Sequence, residues 1–377
     1  MQNISYYIIV NIKENYIFWV DTVRYQNYFV PLTCNNKRNI SFEEIVHAVG
    51  IITDLVWQDF FFFFSNIFYI LEYVISFLLI ILSSAFLSLV ERNLVALLQR
   101  RVGPSIVGGS FGIIQPIIDG FKLIFKETTS PNKSSKLVFL LSPLYSLGIG
   151  LCIFSCIVLD VYDWPLLENK YSVFAFIVLL SISQFGLLIA AIYSTNKFSI
   201  IGAIRSIAVS MSYGLSLTLI FLLPCFYTGT LNFKDIMEAQ CEIPNIVPLL
   251  PAAITFWTVL LTEVKKIPFD VGEAETELAS GYLIEYSSVN FAILVISEYL
   301  TISVLLLTFN ILFLGGLYTF GYSSILLFAV KHVILVFIYL IFRSILPNFR
   351  FDEIMELHWK YVFTFKLLNV IIILGMY

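Results

Sequence analysis

Charge is what this sequence has least of. Only 13% of its 377 residues are Asp, Glu, Lys or Arg, where a soluble domain carries roughly 25%. With 59% hydrophobic residues and a mean hydropathy of +0.89, the chain reads as an integral membrane protein. A soluble globular enzyme is excluded, and so is a domain count taken from length. The net charge of −4 supplies no basic face for nucleic acid. Cysteine and histidine are also scarce. Cys34, Cys152, Cys156, Cys225 and Cys241 make no CxxC, and His47, His332 and His358 are scattered. Cys152 and Cys156 share a helix face, which suits small packing residues. These absences predict no iron–sulfur, haem or zinc centre held by this chain. With no GxGxxG and no GxxxxGK[ST], no nucleotide site is predicted.

What is abundant is long apolar runs. A helix needs about 20 apolar residues to cross the hydrocarbon of a bilayer. Eight segments qualify or nearly do: 67–90, 137–159, 171–193, 200–224, 246–261, 288–314, 323–342 and 358–376. The expected fold is therefore an all-α integral membrane protein with eight transmembrane helices and both termini on one side. The connections are unequal in basic residues. The odd-numbered loops, with Arg205 and Lys360 at the adjoining span ends, hold fourteen and the even-numbered ones only Lys170 and Lys234. Positive residues stay on the cytoplasm-equivalent side, which puts the odd loops toward cytoplasm or mitochondrial matrix. Residues 1–66 lack both an Arg-rich import pattern and a secretory pattern. They read as a separate surface extension, with a short helix near 41–56, ahead of a membrane domain over 67–377. Phe-rich runs such as 60–64 suit an AT-rich organellar genome.

The first loop has a pattern of its own. In FGIIQPIIDGFKLIFKE, Gln115, Asp119, Lys122 and Lys126 recur at steps of four, three and four. That is one polar stripe of an amphipathic helix lying along the membrane or over helix ends. Arg100, Arg101 and Pro104 precede it. The arginines read equally as matrix-side interfacial anchors and as functional residues. Arg205, just inside the fourth span, reads as a snorkelling residue or as a counter-charge to the acidic loop.

The fifth loop carries the most chemistry. TEVKKIPFDVGEAETELASGYLIEY, residues 262–286, holds Glu263, Asp270, Glu273, Glu275, Glu277 and Glu285. A second amphipathic helix is expected here, with Asp270, Glu273 and Glu277 on one face and Glu275 turned away. Carboxylates clustered in poor dielectric cannot all ionise, so they titrate in coupled steps and can pass protons near neutral pH. A solvated acidic loop is the plainer alternative. Glu298 lies about ten residues into the sixth span, beside Tyr299, where a carboxyl must be protonated or paired.

The acidic stretch resembles the signature E-x-N-R-x-P-F-D-x-x-E-x-E-x-E-L-x-x-G-x-x-x-E-Y of the first membrane subunit of respiratory complex I, the proton-pumping NADH:ubiquinone oxidoreductase. ERNLVALLQRRVGP and IIQPIIDGFKLIFKE are similar to that family's first matrix loop. IIGAIRSIAVSMSYGL is similar to its fourth span, and FRSILPNFRFDEIMELHWK to its last matrix loop. The resemblance runs in order from residue 67 to the C-terminus. It implies a core subunit, without a redox centre of its own, of an enzyme that reduces ubiquinone and translocates protons. It also implies the mitochondrial inner membrane as location, ahead of a bacterial plasma membrane.

By the same resemblance, Arg92, Arg101, Asp119, Lys122, Arg205 and Tyr299 sit around the quinone chamber or its mouth. Glu263, Asp270, Glu273, Glu275, Glu277, Glu285 and Glu298 form or feed a carboxylate path for protons. Ubiquinone is implied as substrate, with FMN and iron–sulfur clusters in partner subunits. The implied partners are the hydrophilic quinone-site subunits, neighbouring membrane subunits and lipid. Two other readings stay open: a quinone-independent membrane component of a related hydrogenase or dehydrogenase complex, and a stand-alone ion transporter. Three departures stand out. Gly214 follows Ser212-Tyr213 where the family has Glu, Lys265-Lys266 replaces Asn-Arg, and residues 1–66 have no counterpart.

Overall fold

Backbone polar groups in lipid must be satisfied within the chain, so apolar runs of this length form helices. The computed structural model describes residues 7–11, 16–20, 28–30, 71, 73–105, 107–109, 111–161, 170–319 and 322–376. The chain divides into two units, 1–70 and 71–377. Within the first, the described residues form an antiparallel sheet of β1 (Tyr7–Asn11), β2 (Tyr16–Val20) and β3 (Tyr28–Val30). The helix expected near 41–56 lies outside the described residues.

Six helices of the second unit are long and apolar enough to cross a membrane: α1 (Tyr73–Leu98), α3 (Lys136–Val161), α4 (Ser172–Tyr193), α5 (Lys197–Thr228), α9 (Ser288–Phe313) and α10 (Ile325–Ile345). The two other expected spans are shorter. The 246–261 run becomes α7 (Leu250–Glu263), and 14 residues rise about 21 Å against a hydrocarbon layer of about 30 Å. The 358–376 run becomes a π-turn, His358–Val362, leading into α12 (Phe363–Met376). With α11 (Phe351–Leu357) before them, these form one unbroken helical rod. Short helices α2 (Gln115–Phe125), α6 (Phe233–Ala239) and α8 (Glu275–Leu278), and a hairpin of β4 (Tyr318–Thr319) and β5 (Tyr322–Ser323), complete the unit.

Burial ranks the long helices. In α9 and α5, 61% and 56% of the apolar window is covered by the rest of the chain, against 22% in α1 and 17% in α10. The first two are therefore the axis of the bundle, and the other two present leucine, valine and isoleucine outward. Side chains of Phe221, Phe256, Phe309 and Phe313 pack in tilted and edge-on pairs in the core between α5, α7 and α9. Asn196 caps the start of α5 by accepting from Phe198 N at 3.1 Å.

The connections converge on one segment. From the first loop, the Leu123 and Lys126 carbonyls accept from Ser288 Oγ at 2.9 and 2.5 Å. From the third, Asn196 Nδ2 donates to Glu285 at 3.1 Å. From the seventh, Phe349 N donates to the Pro268 carbonyl at 3.1 Å. The first, third and seventh connections thus meet the chain at the acidic stretch or just after it.

Candidate functional site

The acidic stretch does not form the helix its spacing predicts. Asp270 and Glu273 lie in irregular backbone, and only Glu275–Leu278 makes an α-turn. Ala279, Ser280 and Gly281 then take positive φ values of 48°, 76° and 54°, which no right-handed helix continues through. Asp270, Glu273 and Glu277 therefore share no helix face. Glycine explains the path instead. A Cβ on Gly281 would sit 1.8 Å from the Gly272 carbonyl oxygen, and one on Gly202 of α5 would sit 2.7 Å from that same oxygen. Three bare backbones meet there, and this seats the stretch against α5.

Seated in this way, the segment feeds a buried cluster. Lys266 Nζ lies 2.8 Å from Glu273 and 2.6 Å from Glu298 of α9. The Tyr282 hydroxyl bridges the same two carboxyl groups. Asp270 accepts from Glu273 N at 3.0 Å. Tyr282 is 1% exposed and Glu298 8%, so bulk water does not dilute these interactions. Burial works against the charge on Lys266, but Glu298 and Glu273 outweigh it and raise its pKa. Burial likewise disfavours ionised Glu273, yet Lys266 overrides it and holds the pKa below the usual value. Asp270 is pushed up to about 6 by burial and by Glu273, against the pull of Lys266 and Arg343. Tyr282 is raised well above its ordinary value by burial and by its two acids.

Further ionisable groups lie within electrostatic reach of the cluster in two directions. Inward, Gln184 of α4 bridges: its amide nitrogen donates to Glu263 at 2.5 Å and its oxygen accepts from Lys265. Burial lowers the Lys265 pKa to about 8, against the attraction of Glu263, Glu298 and Glu273. Outward, Arg343 of α10, within electrostatic reach of Asp270, pairs with Glu91 of α1 at 2.5 Å. Tyr299, next to Glu298 in sequence, donates to Glu91 at 2.9 Å. Glu91 in turn lines a cleft of about 350 Å³ together with Arg92, Val95, Ala96, Arg101, Val102, Gly103 and Pro104. A line of ionisable groups thus runs from this cleft through Glu91, Arg343, Asp270, Glu273, Lys266, Tyr282 and Glu298 toward Lys265 and Glu263.

The structure divides the residues singled out from sequence. Glu263, Asp270, Glu273, Glu298 and Tyr299 fall on the line, and Arg92 and Arg101 on the cleft. Asp119 pairs with Arg92 at 2.7 Å and accepts from Gln115 at 3.1 Å. Lys122 is exposed on α2. Arg205 and Glu277 pair at 2.7 Å with 35% and 56% of their side chains exposed, away from the buried cluster. Glu285 is held at the rim by Asn196. The side chain of Glu275 lies outside the described residues. A Cβ on Gly214 would meet nothing within 4 Å.

Sequence reasoning missed Glu91, Gln184, Tyr282 and Arg343 as members. Glu91 and Arg343 pass for interfacial charges, yet α1 runs on to Leu98 and α10 to Ile345, which puts both residues inside helices. Nothing in composition marks Gln184. Tyr282 lies within the acidic stretch, and its hydroxyl among acids was the available signal. Among the described residues, no three His, Cys, Asp or Glu side chains converge on a metal-sized site.

Residues 71–374 match the family model described as NADH dehydrogenase. The chain is similar to NADH-ubiquinone oxidoreductase chain 1 of Dictyostelium citrinum, 35% identical over 297 residues, covering 79% of this chain and 90% of that one. It is 36% identical over 303 residues to a subunit of the NADH-quinone oxidoreductase of Rickettsia prowazekii, covering 78% and 89%. To NADH-ubiquinone oxidoreductase chain 1 of Chondrus crispus it is 34% identical over 306 residues, covering 78% and 92%.

Proposed function

The chain belongs to the NADH dehydrogenase family of complex I membrane subunits, chain 1 of NADH-ubiquinone oxidoreductase and its bacterial counterparts, and we propose that it lines the quinone site of that enzyme and carries protons toward it. The observation that carries this reading is the buried line of acids and bases that ends at a cleft walled by Arg92 and Arg101. Reduction of a quinone to quinol takes two electrons and two protons, and negative charge builds on the ring oxygens as electrons arrive. Fixed guanidinium groups stabilise such charge. Protons drawn from the line then complete the quinol. Val95, Ala96, Val102 and Pro104 give the cleft an apolar wall that suits the quinone ring and its isoprenoid tail. FMN and iron–sulfur clusters in partner subunits supply the electrons.

Arg92, Arg101, Asp119, Lys122, Arg205 and Tyr299 are the quinone-chamber residues of this proposal. Arg205 and Lys122 act at its mouth, since both are exposed or half-exposed. Glu277, Glu285 and Glu275 feed the buried path from the rim. Eight crossings complete the scheme, with α7 and the Phe351–Met376 rod as the two beyond the six long helices, in the mitochondrial inner membrane. Residues 1–66 form a separate extension.

The test is electron transfer split into halves. Arg101→Ala is expected to lower NADH:quinone reductase activity at least tenfold while NADH oxidation by an artificial acceptor at the flavin persists. Unchanged quinone reduction in the assembled variant would remove Arg101 from the site.

A further inference from the structure

The end of α9 far from the acid line is bonded at every carbonyl. The last four carbonyls of a helix have no partner within it. In α9 these belong to Asn310, Ile311, Leu312 and Phe313. Asn310 O accepts from Leu314 N at 3.1 Å and from Gly316 N at 3.0 Å. Ile311 O accepts from Gln240 Nε2 at 2.9 Å, and Leu312 O from Asn245 Nδ2 at 3.1 Å. Phe313 O accepts from Ile246 N at 2.9 Å. Just beyond, Lys331 Nζ of α10 donates to the Leu314 and Gly316 carbonyls at 2.7 and 3.2 Å, a cation where the helix dipole favours one. Gln240 Oε1 also accepts from Asn245 N at 3.2 Å. Gln240 and Asn245 are each 1% exposed, so water does not replace these donors.

Three helices leave this node. Asn245 and Ile246 lead into α7, with Leu249 N donating to the Asn245 carbonyl at 2.9 Å. α9 ends in it, and α10 reaches it through Lys331 and through the Phe328 carbonyl, which accepts from Asn310 Nδ2 at 3.3 Å. Each helix carries one group of the buried line at nearly the same height. Glu298 stands twelve residues before Asn310, Arg343 twelve after Lys331 and Glu263 thirteen after Leu250. At about 1.5 Å per residue these are lever arms of about 18–20 Å. A tilt of about 3° at the node moves the far group about 1 Å, enough to break a contact such as that of Lys266 with Glu298 at 2.6 Å. α10 depends most on the tie, since only 17% of its apolar window is covered by the rest of the chain.

We propose that Gln240, Asn245 and Lys331 are positioning residues: they tie α7, α9 and α10 together at the end served by the even-numbered loops, and so set the spacing of Glu263, Glu298 and Arg343 at the other end. This role rests on reading the buried line as the proton source for quinone reduction. None of the three touches the line or the cleft. They act through the helices, by holding the α9 carbonyls to α7 and α10. Lys331 is the member that joins the least covered of the three helices to the most covered one.

The test uses the whole complex in membrane vesicles and reads NADH:quinone reductase turnover per assembled complex, with flavin-side NADH oxidation counting the complexes. A misplacement of about 1 Å costs up to about a hundredfold in rate, so Lys331→Met is expected to slow turnover about tenfold. Lys331→Arg keeps a cation that donates to both carbonyls and is expected to restore most of it. A purely structural role would give fewer complexes, each turning over normally, and that result overturns the proposal. So does an arginine variant as slow as the methionine one, since donation to the carbonyls would then not be the cause. If Lys331→Met does not assemble, Lys331→Gln, an uncharged donor, is read in its place. Loss of assembly in both overturns the proposal, because the node is then needed for folding and not for spacing. Glu273→Gln separates this role from the reading beneath it. Slow turnover there with normal Lys331→Met turnover overturns the node alone, whereas normal turnover in Glu273→Gln removes the line and the positioning role with it.

Discussion

Removing one oxygen atom tests the buried cluster most directly. Tyr282 holds its hydroxyl between Glu273 and Glu298. One hydroxyl proton cannot serve two ionised carboxylates at once, so the bridge keeps one carboxyl proton in the cluster. Tyr282→Phe leaves the ring in place and deletes the bridge. At 1% exposure, water does not take the position of the missing oxygen. A hydrogen bond to a charged group is worth about 1.5–3 kcal/mol, and one pKa unit is about 1.4 kcal/mol. Glu273, disfavoured by burial but held low by Lys266 with help from this hydroxyl, is therefore expected to titrate higher in the variant. The acid limb of the pH profile of coupled NADH:quinone reductase activity should move up with it. The assay is turnover in vesicles across the pH range, with flavin-side NADH oxidation as the control for assembly. An assembled variant whose acid limb stays in place would refute the claim that this hydroxyl sets the proton affinity of the pair.

Two further outcomes follow from the same segment. Asp270, raised to about 6 from its ordinary 3.8 by burial and by Glu273, binds its proton more tightly folded than unfolded, so its contribution is full below about pH 4 and is lost as pH rises through about 6. Asp270→Asn keeps the acceptor for Glu273 N, so its thermal midpoint relative to the natural chain should rise between about pH 4.5 and about pH 7.5; a pH-independent difference would rule the carboxyl out as the cause. Gly281→Ala forces a Cβ to within 1.8 Å of the Gly272 oxygen at a φ of +54°. The left-handed backbone alone costs an alanine about 1–2 kcal/mol, and the clash adds to it, so little assembled complex is expected on native gels. Assembly at the normal level would show that the acidic stretch does not depend on this close approach.

The membrane character and the six long apolar helices were legible in the sequence, because apolar length is a local property. What escaped was set by partners distant along the chain. Glu91 and Arg343 are separated by the whole bundle in sequence and read singly as interfacial charges; their pairing exists only once α1 and α10 meet. Gln184 carries no charge and stands in an ordinary apolar helix, so its bridge from Glu263 to Lys265 leaves no trace in spacing. The three-and-four spacing of Asp270, Glu273 and Glu277 misled in the opposite direction. Periodicity presumes a helix, but the backbone is irregular through Asp270 and Glu273 and makes only one turn, Glu275–Leu278, before the positive φ run at 279–281. Two of the expected spans have shorter regular helices, with Pro251 near the start of α7 and a π-turn at His358 ahead of α12.

Charge balance along the buried line gives its capacity. Glu91, Glu263, Asp270, Glu273 and Glu298 supply five carboxyl groups, and Lys265, Lys266 and Arg343 supply three cations. Isolated charge is not tolerated at such depth, so the line is near neutral only when it holds about two protons. Those two are not fixed to particular residues. Tyr282 lets one pass between Glu273 and Glu298, and Asp270, whose pKa of about 6 stands near working pH, can take another. Lysine at 266 suits this arrangement better than a guanidinium would. It is a compact point charge that reaches Glu273 and Glu298 together, at 2.8 and 2.6 Å, and it does not lock either carboxylate into a two-pronged fork. A two-electron reduction of quinone consumes two protons. On the proposed function, a line that holds two loosely assigned protons beside an arginine-walled cleft would have the capacity that one turnover demands.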